Sequence, residues 1–175
     1  IALDIGLHNA LKHDSQDICF IETDYKDFLN KNNARGKRGL IKHINGKILG
    51  EHGGIVNYTI GQRKGLGIAS ERPLYVAKID AENNTVYVGD DRDLFSKSFK
   101  IKALSALGDI ADGGRYVFKL RSTHAGQEGR INLKDCSVVL DEESRAITAG
   151  QLCAIYDGAQ VVGGGWISGV EAKRE

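Results

Sequence analysis

The three cysteines, Cys19, Cys136 and Cys153, are the residues best suited to nucleophilic or sulfur chemistry. Their odd number and wide spacing favour neither a disulfide framework nor a zinc site, so we expect a reducing, cytoplasmic setting. A thiol reacts as its thiolate, and the nearby carboxylates of Asp14 and Asp17 would raise rather than lower the pKa of Cys19. Taken alone, Cys19 between Ile18 and Phe20 fits a buried structural cysteine, and Cys136 and Cys153 lie in strand-like patterns.

Basic side chains are concentrated in one part of a nearly neutral chain. The formal net charge is +1, yet residues 28–70 contain eight Lys and Arg residues against the single acid Glu51. Such segregation can form a surface that attracts phosphates, although it also fits a solvated lysine-rich surface. The five histidines show no metal-ligand spacing, and we predict no metal site.

Residues 61–67 form a basic glycine-rich loop, but they do not match the pattern of a nucleotide-binding loop. The segment lacks the Gly-Lys-Ser/Thr ending of a phosphate-binding loop, and no strand leads through it into a helix. We therefore assign no nucleotide to it. Arg63 and Lys64 fit contact with RNA phosphates or with another domain, and a purely structural turn is an equal alternative.

The first half of the chain predicts a mixture of helix and strand. Helical spacing is present in residues 1–11 and 24–31, with a short apolar strand at 18–21. Residues 40–49 predict a β-hairpin around Asn45-Gly46, because both positions of that pair tolerate positive φ. No apolar run approaches the roughly 20 residues of a membrane span, so we expect no membrane association.

From about residue 72 onward the pattern changes to short, regularly spaced strands, which predicts a small antiparallel barrel or sandwich. Alternation puts Tyr116, Phe118 and Leu120 on one face of a strand, with basic residues on the other. The glycines at 163–165 indicate a bulge or close backbone approach. The strand candidates are residues 74–80, 85–89, 99–103, 115–121, 129–133, 137–140, 151–156 and 161–168.

Several motifs resemble those of the tRNA-specific 2-thiouridylase family, in the family's order and over nearly the whole chain. The segment Asp14–Ile21 resembles the family's persulfide-cysteine segment, and Tyr58–Ile68 resembles its most characteristic run. Arg145–Gln151 and Gly163–Ile167 resemble its C-terminal signature. The chain departs from the family pattern at Ala149, where proline is usual, and at Arg121-Ser122, where Arg-Tyr is frequent.

The resemblance implies a mainly β fold, with a small α+β central domain followed by an antiparallel β-barrel. It divides the chain into the tail of a catalytic domain with the cysteine segment (1–21), a central domain (22–72) and the barrel (73–175). Because the chain begins at Ile1 and contains no methionine, we expect further residues upstream. The resemblance implies that they include an ATP-binding domain.

The resemblance also implies an activity and its residues. Sulfur would replace oxygen at position 2 of the wobble uridine of a tRNA, with Cys19 carrying a persulfide loaded by a relay protein or a cysteine desulfurase. ATP and Mg would be used by the missing domain, and this chain would need no cofactor and be inactive alone. Arg121, Ser122 and Gln151 match positions that contact tRNA, and Arg63 and Lys64 are further candidates. A non-catalytic RNA-binding barrel and a protein-interaction barrel remain the alternatives.

Overall fold

The computed structural model describes residues 36–170 and, among the first 35 residues, Gly6 alone. The chain divides into two compact units, residues 1–36 and 37–175, and all elements below belong to the second. The helices predicted at 1–11 and 24–31, the strand at 18–21 and Cys19 itself lie outside the described residues.

The regular secondary structure of the described part is mainly β-strand, with almost no helix, which confirms the predicted fold class. Two short 3₁₀ segments interrupt the strands, and between residues 36 and 170 no helix has the length and apolar character that crossing a membrane requires. The strands are β1 (Gly39–His43), β2 (Ile48–His52), β3 (Tyr75–Asp80), β4 (Thr85–Gly89), β5 (Phe95–Ala106), β6 (Arg115–Lys119), β7 (Gln127–Asn132), β8 (Ser137–Arg145), β9 (Leu152–Asp157) and β10 (Gln160–Val170), and the 3₁₀ segments are Ile55–Asn57 and Asp91–Leu94.

Strands β1–β4 form one four-stranded sheet in the order β2-β1-β4-β3. The central pair, β1 and β4, runs parallel, with Ile41 opposite Val86, and both side chains are fully buried. We assigned residues 73–89 to the barrel, but the strand pairing places β3 and β4 in this first sheet, so the change of sheet falls between Gly89 and Phe95. A division of the chain into domains at residue 72 stays a prediction.

The β1–β2 hairpin lies where Asn45-Gly46 predicted it, but its turn differs from the expected two-residue type. Gly46 N donates a hydrogen bond to His43 O at 2.8 Å, so Ile44 and Asn45 are the two central residues. Gly46 then follows with φ +92°, whereas Asn45 is not among the residues with positive φ. This is the three-residue arrangement in which a left-handed glycine closes the turn.

Strands β5–β10 form a closed six-stranded barrel in the order β10-β5-β8-β7-β6-β9, and every neighbouring pair is antiparallel. The predicted inner face is confirmed: Tyr116, Phe118 and Leu120 are buried, and Phe118 meets Phe99 edge to face at 6.5 Å. Closure pairs every strand on both sides, so the sheet has no open edge to protect. Burial of alternate side chains leaves the intervening ones on the outside.

Glycine is required where β10 packs closely against β5, as the three consecutive glycines of β10 predicted. A Cβ added at Gly165 would lie 2.2 Å from Ile101 Cγ2, and one at Gly163 would lie 2.7 Å from Ser105 O. The β5–β10 register also shifts between Gly164 and Trp166. The glycines therefore have a structural role: they allow close packing beside a bulge.

Candidate nucleic-acid interface

The basic loop at 61–67 is held in a defined shape by Gln62 and by strand β3. Gln62 Oε1 accepts a hydrogen bond from Thr59 N at 3.0 Å, and Gln62 Nε2 donates to Lys64 O at 2.9 Å. The backbone of Gly61 and Gln62 also exchanges two hydrogen bonds with Val76. The loop is therefore an ordered turn that displays Arg63 and Lys64, both exposed, to solvent.

A pocket of about 250 Å³ lies beside this loop. Two arginines, Arg63 and Arg72, line it together with Ser70 and the apolar side chains of Leu66 and Leu74. Guanidinium and hydroxyl groups are suited to phosphate oxygens, so the pocket matches the chemistry expected of Arg63. Arg72 was not a sequence candidate, because only the folded loop brings it to the same pocket.

The predicted RNA contact Arg121 has a second, structural role. It follows the end of β6, and its Nη2 donates hydrogen bonds to Arg145 O at 3.0 Å and to Ala146 O at 2.5 Å. Ala146 has φ +55°, so these bonds support a backbone turn that a non-glycine residue adopts at some cost. Replacing Arg121 would therefore disturb the barrel end as well as any RNA contact.

Residues 145–146 also connect the barrel to the first sheet. The Arg145 guanidinium pairs with Asp91 Oδ1 at 2.8 Å and stacks over the Tyr75 ring at 5.5 Å. A Cβ added at Gly61 would lie 3.5 Å from Ala146 Cβ, so the basic loop begins beside the same turn. The structure thus brings the start of that loop and Arg121 to one neighbourhood.

Ser122 and Gln151 lie at the same end of the barrel as Arg121, because β6 ends where the neighbouring antiparallel β9 begins. Ser122 is exposed in the turn that follows β6. Gln151 is partly buried: its backbone carbonyl accepts from Ile167 N at 2.8 Å, and its Oε1 is buried without a hydrogen-bond partner among the described residues. In this conformation Ser122 is better placed than Gln151 to meet a ligand.

His124 belongs to this barrel end, although its sequence context did not reveal it. Its backbone N donates to Arg121 O at 3.1 Å, and its Nδ1 accepts from Gly126 N at 3.3 Å. Partial burial, and then the positive charges of Arg121 and Lys119, lower the pKa of its imidazole. Lys119 at the end of β6 and Arg121 and His124 in the turn that follows therefore bring three basic side chains close together.

The two described cysteines are poor candidates for sulfur chemistry. Cys153 is fully buried, and burial raises the pKa of its thiol to about 12. Cys136 is not in a strand as its pattern suggested: it lies in the β7–β8 turn with φ +52°, and its thiol faces Leu133 O at 3.8 Å. Within residues 36–170 no three His, Cys, Asp or Glu side chains are grouped to hold a metal ion.

His52, the last residue of β2, has a structural role. It is buried, its Nδ1 accepts from Gly54 N at 3.1 Å, and its Nε2 lies 3.2 Å from Asn84 O. Its ring also meets Tyr58 edge to face at 5.6 Å. His52 thus ties the end of β2 to the β3–β4 turn rather than facing a ligand.

Comparison with protein families matches both folded regions. The family described as "tRNA methyl transferase PRC-barrel domain" matches residues 26–90, and the one described as "Aminomethyltransferase beta-barrel domain" matches residues 96–167. The gap between the two matches coincides with the change of sheet between β4 and β5.

Several curated relatives of this chain are named "tRNA-specific 2-thiouridylase MnmA". The relative from Wolbachia sp. subsp. Drosophila simulans (strain wRi) is 47% identical over 167 residues, which cover 93% of this chain and 45% of the relative. The relative from Rickettsia canadensis (strain McKiel) is 48% identical over 176 residues, or 96% of this chain and 48% of the relative. The chain belongs to the tRNA-specific 2-thiouridylase family. It spans about half the length of the curated relatives it matches.

Proposed function

We propose that this chain is the tRNA-gripping and sulfur-carrying part of an enzyme that makes 2-thiouridine at the wobble position of tRNA. The observation that supports this most strongly is 47–48% identity, over 93% of the chain or more, to relatives named for that activity. The ordered basic loop and the basic barrel end provide a surface of the expected chemistry.

Cys19 is the proposed sulfur carrier. The terminal sulfur of its persulfide would attack C2 of a uridine whose O2 has been adenylated, and AMP would leave, so that the uridine is joined to Cys19 through that sulfur. A second cysteine thiolate would then attack Cys19 Sγ, which breaks the S–S bond, forms a disulfide between the two cysteines and releases the 2-thiouridine. The high pKa of Cys153 argues against that residue as the carrier. ATP and Mg would be bound by sequence outside this chain, and a relay protein or cysteine desulfurase would load Cys19.

The β-barrel and the basic loop have the complementary task of holding tRNA in a cytoplasmic enzyme. Arg63 and Lys64 are exposed for contact with phosphates, and Arg121 and Ser122 lie together at the barrel end. Arginine can bind phosphate or a base edge, while a hydroxyl can donate and accept. Gln151 would join this contact after its side chain turns outward.

The decisive experiment compares Cys19→Ser with Cys136→Ser in the full-length parent protein. Thiolated tRNA is measured by mass spectrometry of nucleosides, and tRNA binding by filter retention. We expect Cys19→Ser to abolish 2-thiouridine with tRNA binding retained, because the hydroxyl cannot carry sulfane sulfur. Cys136→Ser should retain both. Normal thiolation by the Cys19→Ser protein would refute the proposed carrier.

The 175-residue chain provides a second test. It should bind tRNA with an affinity that falls steeply with salt, since phosphate contacts release counterions. It should form no 2-thiouridine when supplied with ATP and a persulfide donor. Thiolation by the chain alone would contradict the proposal that ATP-dependent activation needs sequence outside it. Absence of tRNA binding would refute the proposed tRNA-binding role.

A further inference from the structure

Trp166, the only tryptophan of the chain, is on the outside of the barrel. It lies in β10 directly opposite Leu152 of β9 and Lys102 of β5. Trp166 is 48% exposed and Leu152 is 54% exposed, while the next residue, Ile167, is fully buried. An exposed Trp–Leu pair on a strand surface presents an apolar platform that the barrel itself does not use.

Small residues leave space beside the indole. Ala154 of β9 pairs with Gly164 of β10 on one side and with Lys119 of β6 on the other. Because side chains alternate, Leu152 and Ala154 share the outer surface with Trp166 and Gly164. The result is a shallow platform with Lys102 at one edge and Lys119 at the other.

The two lysines carry free positive charge to the platform. Among the described residues, neither Lys102 nor Lys119 forms a hydrogen bond or an ion pair through its ammonium group. Along β9 and the described length of β10, Asp157 at the end of β9 is the one acidic residue. We call the surface formed by Lys102, Lys119, Leu152, Ala154 and Trp166 the lysine face.

We propose that the lysine face binds RNA, with one nucleobase stacked on the Trp166 indole and the neighbouring phosphates beside Lys102 and Lys119. This inference rests on the proposed tRNA function and adds a contact surface to it. Aromatic side chains bind unstacked bases through their faces, and lysines follow the backbone. Leu152, at one end of the platform, directly follows Gln151, and Arg121 lies at the same end of the barrel. One RNA segment can therefore contact the platform and Arg121 together. A protein partner would need matching acidic residues to bury two unpaired ammonium groups.

Intrinsic fluorescence tests the proposal directly, because all tryptophan emission comes from Trp166. The 175-residue chain is titrated with tRNA at low salt, while emission and protection from acrylamide quenching are recorded. We expect saturable quenching and reduced acrylamide access. In filter binding, Trp166→Ala should weaken tRNA affinity roughly fivefold to tenfold, a loss within the range for one stacked base, and Trp166→Phe should recover most of it.

Val139→Ala is the matched control, because Val139 is an apolar residue of β8 that is 52% exposed on the outside of the same barrel. It should leave affinity unchanged, and circular dichroism should show all three variants folded. Binding without a change of emission, and with unaltered affinity of Trp166→Ala, would overturn the inference and leave the tRNA function intact. Absence of any tRNA binding would overturn both. If the Trp166 emission of the free chain changed with protein concentration, the lysine face would be a contact between copies of the chain. That result would also overturn the inference.

Discussion

Two sides of the barrel differ in whether their cations have carboxylate partners. On the lysine face, Lys102 and Lys119 have no acidic partner within the described residues. On the side formed by β7 and β8, the Arg115 guanidinium binds the carboxylates of both Glu128 and Asp141, the latter at 2.5 Å. We call the side that carries the outward residues Glu128, Arg130, Val139 and Asp141 the acidic face, after the two carboxylates that hold Arg115.

The number of basic residues on a surface is a poor guide to RNA binding. Sequence alternation treated Arg115 and Lys119 alike, as outward cations of one strand, yet one is engaged by two carboxylates and the other is not. The hydrogen bond to Glu128 and the charges of Asp141 and Glu128 raise the pKa of the Arg115 guanidinium. Phosphate contact requires a cation without a competing carboxylate, so the lysine face is the better RNA surface.

The largest expected effect comes from removing the free charges. Lys102→Gln combined with Lys119→Gln should weaken tRNA binding by about tenfold or more at 0.1 M salt. The slope of log affinity against log salt should become shallower by about 1.5, since each lost phosphate contact contributes about 0.7 to 0.9. Filter binding across a salt series measures both quantities.

Lys97→Gln is the control for that double variant. Lys97 is also an exposed lysine of β5, but its Nζ donates to Asp141 O at 2.8 Å, on the acidic face. Its loss should leave both the affinity and the salt slope near those of the parent. Equal effects of the two changes would show that tRNA responds to overall charge and would break the distinction between the faces.

A smaller, opposite effect should follow from neutralising the acidic face. Glu128→Gln combined with Asp141→Asn removes two negative charges and frees Arg115, so tRNA affinity should rise about twofold to threefold at low salt through long-range attraction. The gain should fall to about half when Arg115→Ala is added, because the net change in charge drops from +2 to +1, and it should vanish when salt is raised. If tRNA affinity rose by as much as it falls in the Lys102→Gln, Lys119→Gln variant, Arg115 would be a direct RNA contact. That result would contradict the proposed difference between the two faces.

Local patterns predicted the parts of the fold that depend on local physics. The strands and their faces followed from alternation, because burial of Phe99, Tyr116 and Phe118 is fixed by their two-residue period. The glycines of β10 predicted close backbone approach, because only glycine permits it at Gly163 and Gly165. The Asn45-Gly46 hairpin was found at the right place because glycine readily adopts the positive φ that Gly46 has in the turn.

Features set by long-range pairing were not predictable in this way. The parallel β1–β4 pair joins residues that are 45 positions apart, as Leu40 is to Thr85, and no local pattern records it. Arg121 matched an RNA contact, but its bonds to the 145–146 turn depend on barrel closure. The alternation of Trp166 with Ile167 was the one local pattern that could have indicated an outward Trp166. Which residues lie opposite Trp166 could not be predicted, because bulges in both pairings of β10 shift the register.

The smallest effect expected is a pH dependence centred on His124, at the edge of the lysine face. In the folded chain its pKa is lowered by burial and by the charges of Arg121 and Lys119. The unfolded chain, with an ordinary pKa, therefore binds a proton first as pH falls below about 6.5. In that window stability rises with pH, so the chain should lose a little stability on acidification, and His124→Gln should remove that loss.

RNA should oppose the part of this shift that comes from the neighbouring positive charges. Phosphates placed beside Arg121 and Lys119 offset the positive charges that disfavour the imidazolium, so binding should raise the His124 pKa and take up protons. Affinity for tRNA should then increase modestly from pH 7.5 to pH 6, and His124→Gln should flatten the increase. NMR titration of the His124 ring protons, with and without a tRNA anticodon stem-loop, measures the two pKa values directly. An unchanged His124 pKa in the complex would place the phosphates away from the turn after β6, and RNA contact would then have to centre on Trp166 and Lys102.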